Sequence, residues 1–114
     1  MSEISIRPWG RYLVIDDSPT HKVKQIWVTP GARLSYQRHE KRAEHWFVVS
    51  GSGQLTLDGT VSELTTGSSV DIAIGQLHRI ANTGTEELLF IEVQTGTYFG
   101  EDDIVRVEDD FGRV

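Results

Sequence analysis

The chain of 114 residues contains no cysteine, which excludes disulfides, thiolate nucleophiles and cysteine-based zinc sites and fits a reducing compartment. No apolar run approaches the roughly 20 residues that a membrane-spanning helix needs, and the opening MSEISIRPWG lacks an apolar signal-peptide core. The expectation is a cytoplasmic protein with no membrane partner. A sustained 3.6-residue apolar period is also missing, so no amphipathic helix is expected. Nor is there a basic excess. With a formal net charge of -6, no nucleic-acid surface is expected.

What the chain does have is a series of short β-like runs: Arg11 to Asp16, Lys22 to Thr29, Arg33 to His39, Ala43 to Ser50, Gln54 to Leu57, Val61 to Thr65, Ser69 to Ala73, Leu77 to Asn82 and Glu87 to Gln94. Turn signals separate them, and Asp58-Gly59 between apolar runs has the composition of a two-residue type I′ hairpin loop. Many short strands without helices make an all-β sandwich or barrel. No linker or internal repeat divides the chain, so residues 1–114 are expected to form a single domain. Its first ten residues form a packing segment, with Trp9 set against the body and Pro8 excluded from a central strand. Residues 98–114 form an acidic extension, partly ordered because Ile104, Val105 and Val107 interrupt its charges and Tyr98-Phe99 anchor its start.

Two runs, Trp46-Phe47-Val48-Val49 and Leu88-Leu89-Phe90-Ile91, are apolar on both faces. Strands of this kind are covered on both sides. A second subunit is the simplest cover, which predicts a homodimer; the alternative is the N-terminal segment folded back over that face.

Function concentrates in two stretches. Gly31 to Gly51 has the order G-x5-Q-x-H-x4-E-x6-G, in which Gln37 and His39, two apart on a strand, share a face, and Glu44 shares one with Trp46 and Val48 on the following strand. Two neighbouring strands would then aim an amide oxygen, an imidazole and a carboxylate into one cavity. Gly67 to Asn82 has the order G-x5-A-x-G-x2-H-x3-N and adds His78 at a strand start. Oxygen and imidazole donors together suit one divalent transition metal ion, whether zinc, manganese, iron, cobalt or nickel. Lys22, Lys24, Arg33, Arg38, Lys41 and Arg42 cluster in sequence around this stretch, as a rim for a small anionic ligand such as a sugar phosphate or as solvated strand-edge charges.

These two stretches resemble the paired motifs of the cupin superfamily, with Gln37 in the first histidine position and Ala73 where the second motif has proline. RPWG at 7–10, LSYQRH at 34–39, RAEHWFVVSG at 42–51, HRIAN at 78–82, IEVQTGTYFGEDDIVR at 91–106 and DDFGR at 109–113 resemble the type II phosphomannose isomerase domain. That domain usually forms the C-terminal part of bifunctional mannose-1-phosphate guanylyltransferases. The resemblance implies a small cupin barrel, a double-stranded β-helix, with Gln37, His39, Glu44 and His78 as metal ligands. It implies a metal-dependent isomerase that interconverts mannose 6-phosphate and fructose 6-phosphate through an enediolate. Glu44, His45, Lys24 and Arg79 are the candidate catalytic residues, and Lys41, Arg42 and Tyr36 the candidate substrate contacts. The base is left open among His45, Lys24, Lys41 and metal-bound hydroxide. Where the family commonly has a histidine-rich loop, this chain has Arg38, Glu40 and Lys41 around His39. A non-catalytic sugar-binding cupin, or a cupin with other metal chemistry such as a dioxygenase, is the alternative. Nothing about nucleotide binding carries over to these 114 residues.

Overall fold

A computed structural model describes residues 3–114. Among them are strands β1 Ile4–Arg7, β2 Gly10–Asp17, β3 His21–Val28, β4 Tyr36–Arg38, β5 Arg42–Ser50, β6 Gly53–Leu57, β7 Thr60–Leu64, β8 Ser69–Ile72, β9 His78–Ala81, β10 Leu88–Gly96 and β11 Val105–Glu108, and no helix. All pairings are antiparallel and fall into two sheets, one ordered β1-β2-β3-β10-β5-β8 and the other β11-β4-β9-β6-β7. The inner faces enclose an apolar core that includes Ile26, Val28, Trp46, Val48, Ile80, Leu88 and Phe90. Fully burying one such side chain contributes about 1.5–3 kcal/mol, so the fold rests on this layer.

Local chemistry sets the turns. Asp58 and Gly59 have φ of 46° and 84° and close the β6–β7 hairpin with the two left-handed residues that a type I′ loop requires. Gly96 ends β10 against the turn before β5: a Cβ there would stand 2.2 Å from the carbonyl oxygen of Lys41, so only glycine lets the two backbones meet.

Three features differ from the sequence expectations. The run from Arg33 to His39 pairs as a strand over Tyr36–Arg38 alone, with a single bridge from Arg33 to Ala81, and His39 lies just past its end. β4 and β5 are not neighbours; they lie in opposite sheets. The N-terminal residues add β1 to the edge of the six-stranded sheet beside β2 and do not cross its outer face, where Phe47 and Val49 are exposed. Trp9 is buried in the core.

The C-terminal extension carries β11, which pairs with β4. Its contacts are polar more than apolar, since Val105 and Val107 face solvent while Asp103 is buried. The extension is held by ion pairs from Glu101 to Lys24, Asp110 to Arg33 and Glu108 to Arg79, and by the Asp103 carboxylate, which accepts the main-chain N–H groups of Glu40 and Lys41 in the β4–β5 turn.

Candidate metal centre

Alternation along β5 and β9 turns Glu44 and His78 inward, and His39, just past the end of β4, joins them at one end of the space between the sheets, all three buried. One potential ligand atom from each lies within 4.8 Å of the others. His39 Nε2 is 3.1 Å from Glu44 Oε2, and His78 Nε2 is 3.8 Å from Glu44 Oε1. Gln37 lies directly opposite His78 in the β4–β9 register, and its Oε1 accepts a hydrogen bond of 2.5 Å from the Ser35 hydroxyl.

Each imidazole is oriented by its other nitrogen. Nδ1–H of His39 donates to the carbonyl oxygen of Asp103 (2.7 Å), and Nδ1–H of His78 donates to that of Gln76 (2.9 Å). Both Nε2 atoms are thereby turned toward Glu44, the arrangement found around metal-bound histidines. His78 Nε2 is buried and has no hydrogen-bond partner among the described residues. A buried acceptor without a partner costs about 1–3 kcal/mol, so this atom fits a ligand. Two imidazoles, a carboxylate and an amide oxygen are a donor set that a divalent transition metal accepts.

Electrostatics keep Glu44 ionised. Burial alone would raise its pKa, but side-chain contacts with His39 and Glu92 and the nearby His78 and Arg42 hold it well below the ordinary carboxylate range. Trp46 Nε1–H donates to Glu44 Oε1 (2.9 Å) and Arg42 Nε–H to Oε2 (3.0 Å). Burial lowers the His78 pKa against the opposing pull of Glu44, which favours the neutral ring a metal needs. Glu92, on β10, moves the other way: burial and the neighbouring Glu44 charge push its pKa well above the usual range.

The centre opens into a cavity of about 120 Å³. Gln37, His39, Arg42, Glu44 and Lys24 line it, so these sequence-predicted residues are brought together there. The others lie elsewhere. His45 is on the outer face of β5, paired with Asp71, and Lys41 is exposed with its ammonium over the Tyr98 ring. Arg79 is bound to Glu108 and the Leu34 carbonyl, and the Tyr36 hydroxyl accepts from the Gly59 amide. Among the other basic residues near the motif, Arg33 pairs with Asp110 and Arg38 with Glu40.

Several residues of the cavity wall escaped the sequence reading. Glu92 is one; its signal was a carboxylate in phase with Leu88 and Phe90 on the inward face of an apolar strand. Glu101, which bonds Lys24 (2.7 Å), is another. Most informative are Arg7, Arg106 and Arg113, three guanidiniums on the cavity wall. Arg106 sits in one register row with Gln37 and His78, so all three face inward. Its Nε is buried and has no hydrogen-bond partner among the described residues. Burial, Arg113 and Arg7 lower its pKa against the opposing charge of Asp109.

Residues 1–109 match the family of mannose-6-phosphate isomerase C-terminal domains. The alginate biosynthesis protein AlgA of Pseudomonas aeruginosa is 53% identical over 94% of this chain and 22% of its own length. Mannose-1-phosphate guanylyltransferase of Salmonella montevideo is 48% identical over 94% of this chain and 23% of its length. The chain thus spans less than a quarter of these curated relatives. Among solved structures, a double-stranded β-helix protein from Klebsiella pneumoniae superposes with a TM-score of 0.74 (24% identity, 84% of this chain, 77% of that one). The capsular polysaccharide assembling protein CapF of Staphylococcus aureus superposes with a TM-score of 0.81 (22% identity, 95% and 34%).

Proposed function

This chain belongs to the family of mannose-6-phosphate isomerase C-terminal domains, with a cupin fold, and from that premise we propose that it is a metal-dependent sugar-phosphate isomerase acting on mannose 6-phosphate and fructose 6-phosphate. The observation that carries this reading is one cavity with His39 and Glu44 of the His39–Glu44–His78 cluster and the four arginines Arg7, Arg42, Arg106 and Arg113 on its walls. A metal-ligating end and an anion-binding end match a substrate with a carbonyl and a phosphate.

His39, Glu44, His78 and Gln37 would hold the ion, which supplies a Lewis acid for the sugar carbonyl and for the negative charge that develops on the enediolate. Arg106, flanked by Arg7 and by Arg113, which already pairs with Asp109, takes the phosphate, because its buried Nε has no hydrogen-bond partner among the described residues and is matched by an anion. Moving a proton between C1 and C2 needs a side chain on the cavity wall. Glu92 is the group we assign, since it stands on the cavity wall opposite Lys24, and burial with the neighbouring Glu44 charge raises its pKa and so makes its carboxyl a stronger proton acceptor than an ordinary carboxylate. Lys24 stands directly opposite it in the β3–β10 register and faces the same cavity, where its ammonium offsets negative charge on the reacting oxygens.

The outer face, with exposed Phe47 and Val49 beside half-buried Leu89 and Ile91, supports a homodimer, and sugar-phosphate chemistry suits a cytoplasmic location. The assay is interconversion of the two sugar phosphates by metal-loaded protein in deuterated water, with and without a chelator. Turnover or C2 proton exchange that stops on chelation supports the isomerase. Binding of the sugar phosphate with neither signal would leave a non-catalytic sugar-binding module instead.

A further inference from the structure

We propose that Asp103 is the positioning residue of the metal centre, through which the C-terminal segment holds the ligand His39 in a binding tautomer; this rests on the metal reading above. His39 lies beyond the last ladder residue of β4, so strand pairing does not fix its ring. Asp103 does so by three bonds. Its carbonyl oxygen accepts Nδ1–H of His39 (2.7 Å), and its carboxylate oxygens accept the main-chain N–H groups of Glu40 (2.9 Å) and Lys41 (3.0 Å). Main-chain carbonyls only accept, so Nδ1 carries a proton, and Nε2 is the atom turned into the centre, 3.1 Å from Glu44 Oε2 and 3.3 Å from Arg42 Nη2.

The other histidine is held differently. His78 bonds the carbonyl of Gln76, two residues away in its own turn, so its orientation is local. His39 alone depends on a residue 64 positions distant. Asp103 is buried, whereas the adjacent Asp102 is exposed and receives only the Tyr98 hydroxyl. Asp102 is therefore the internal control.

The experiment compares wild type, Asp103→Ala, Asp103→Asn and Asp102→Ala by imidazole nitrogen NMR of the metal-free proteins and by zinc titration against a competing chelator. In wild type and Asp102→Ala, His39 should be the Nδ1–H tautomer. Asp103→Ala keeps the main-chain carbonyl but removes the two carboxylate bonds that hold it against the turn, so it should shift His39 toward the Nε2–H form that free imidazole favours and weaken zinc binding by up to about 10- to 100-fold, the range seen when the partner behind a metal ligand is lost. Asp103→Asn keeps one of the two acceptors and should lose less; it carries the test if the alanine variant does not fold. If His39 keeps its tautomer and zinc affinity stays within about twofold, the segment is a simple anchor and the proposal is overturned. If wild type binds no zinc yet the tautomer shifts in Asp103→Ala, the positioning claim stands and the metal reading falls.

Discussion

His78 Nε2 stands 3.8 Å from Glu44 Oε1, too far for a hydrogen bond and close enough for both atoms to bind one ion. An ion that binds only the folded state should therefore stabilise it. At a hundred times its dissociation constant the gain is about 2.7 kcal/mol. Melting with and without zinc, manganese or cobalt should show the midpoint rise by roughly 5–15 °C for a domain of this size. His39→Ala and His78→Ala should abolish that rise while keeping the far-ultraviolet signature of the sheets. No response to any of these ions would count against the centre.

The metal-free protein should lose stability in mild acid. Burial lowers the folded-state pKa of His78 below 6.5, so the unfolded chain takes up a proton first as pH falls. The His78 contribution is fully present above pH 6.5 and drains away as pH drops through the lower folded value. Denaturant midpoints between pH 7.5 and 5 should fall for wild type and fall less for His78→Gln in that window. Glu44, with its depressed pKa, adds a second loss at lower pH, below 4.5.

Arg106→Ala should raise KM for mannose 6-phosphate by about 10- to 100-fold, the equivalent of one charge-assisted hydrogen-bond contact of roughly 1.5–3 kcal/mol. Steady-state kinetics should show a smaller change in kcat, because the phosphate is remote from C1 and C2. Arg38→Ala, on an exposed ion pair, should leave both unchanged.

Glu92→Gln should abolish C2 deuterium exchange while zinc and sugar-phosphate affinities stay close to wild type. The amide fills the same volume but cannot take up a proton. Exchange at the wild-type rate would reassign the proton carrier, with Lys24→Met as the next variant.

How legible the site was in sequence depends on the length scale of each interaction. Parity along a strand and fixed motif spacing placed His39, Glu44 and His78, because those are local rules. The Asp58-Gly59 loop was legible for the same reason. Arg106 and Arg113 were not, since their place on the cavity wall comes from a segment that folds back across the barrel, and nothing in VRVEDD declares that the arginine faces inward while its valines face water. Nearness in sequence also misled. Arg33, Arg38 and Lys41 surround the motif in the chain, yet strand alternation and local carboxylates turn them away from the cavity.

Phe47→Lys should convert the proposed dimer to a monomer without loss of fold. Phe47 is 44% exposed on the outer face of β5, a central strand of its sheet, so a charge there is tolerated alone and costly only when buried against a second copy. Light scattering at micromolar concentration should report the halved mass. An unaltered monomeric mass in wild type would remove the dimer.

The candidate ligands are drawn from both layers, His39 and His78 from the five-stranded sheet and Glu44 from the six-stranded one. An ion held among them is a cross-tie between two sheets that are otherwise joined at this end by side chains and turns. Its removal would free one layer to breathe against the other, and amide hydrogen exchange should locate the loosening in β4, β9 and the first residues of β5, leaving β6, β7 and the far end of β10 as slow as before.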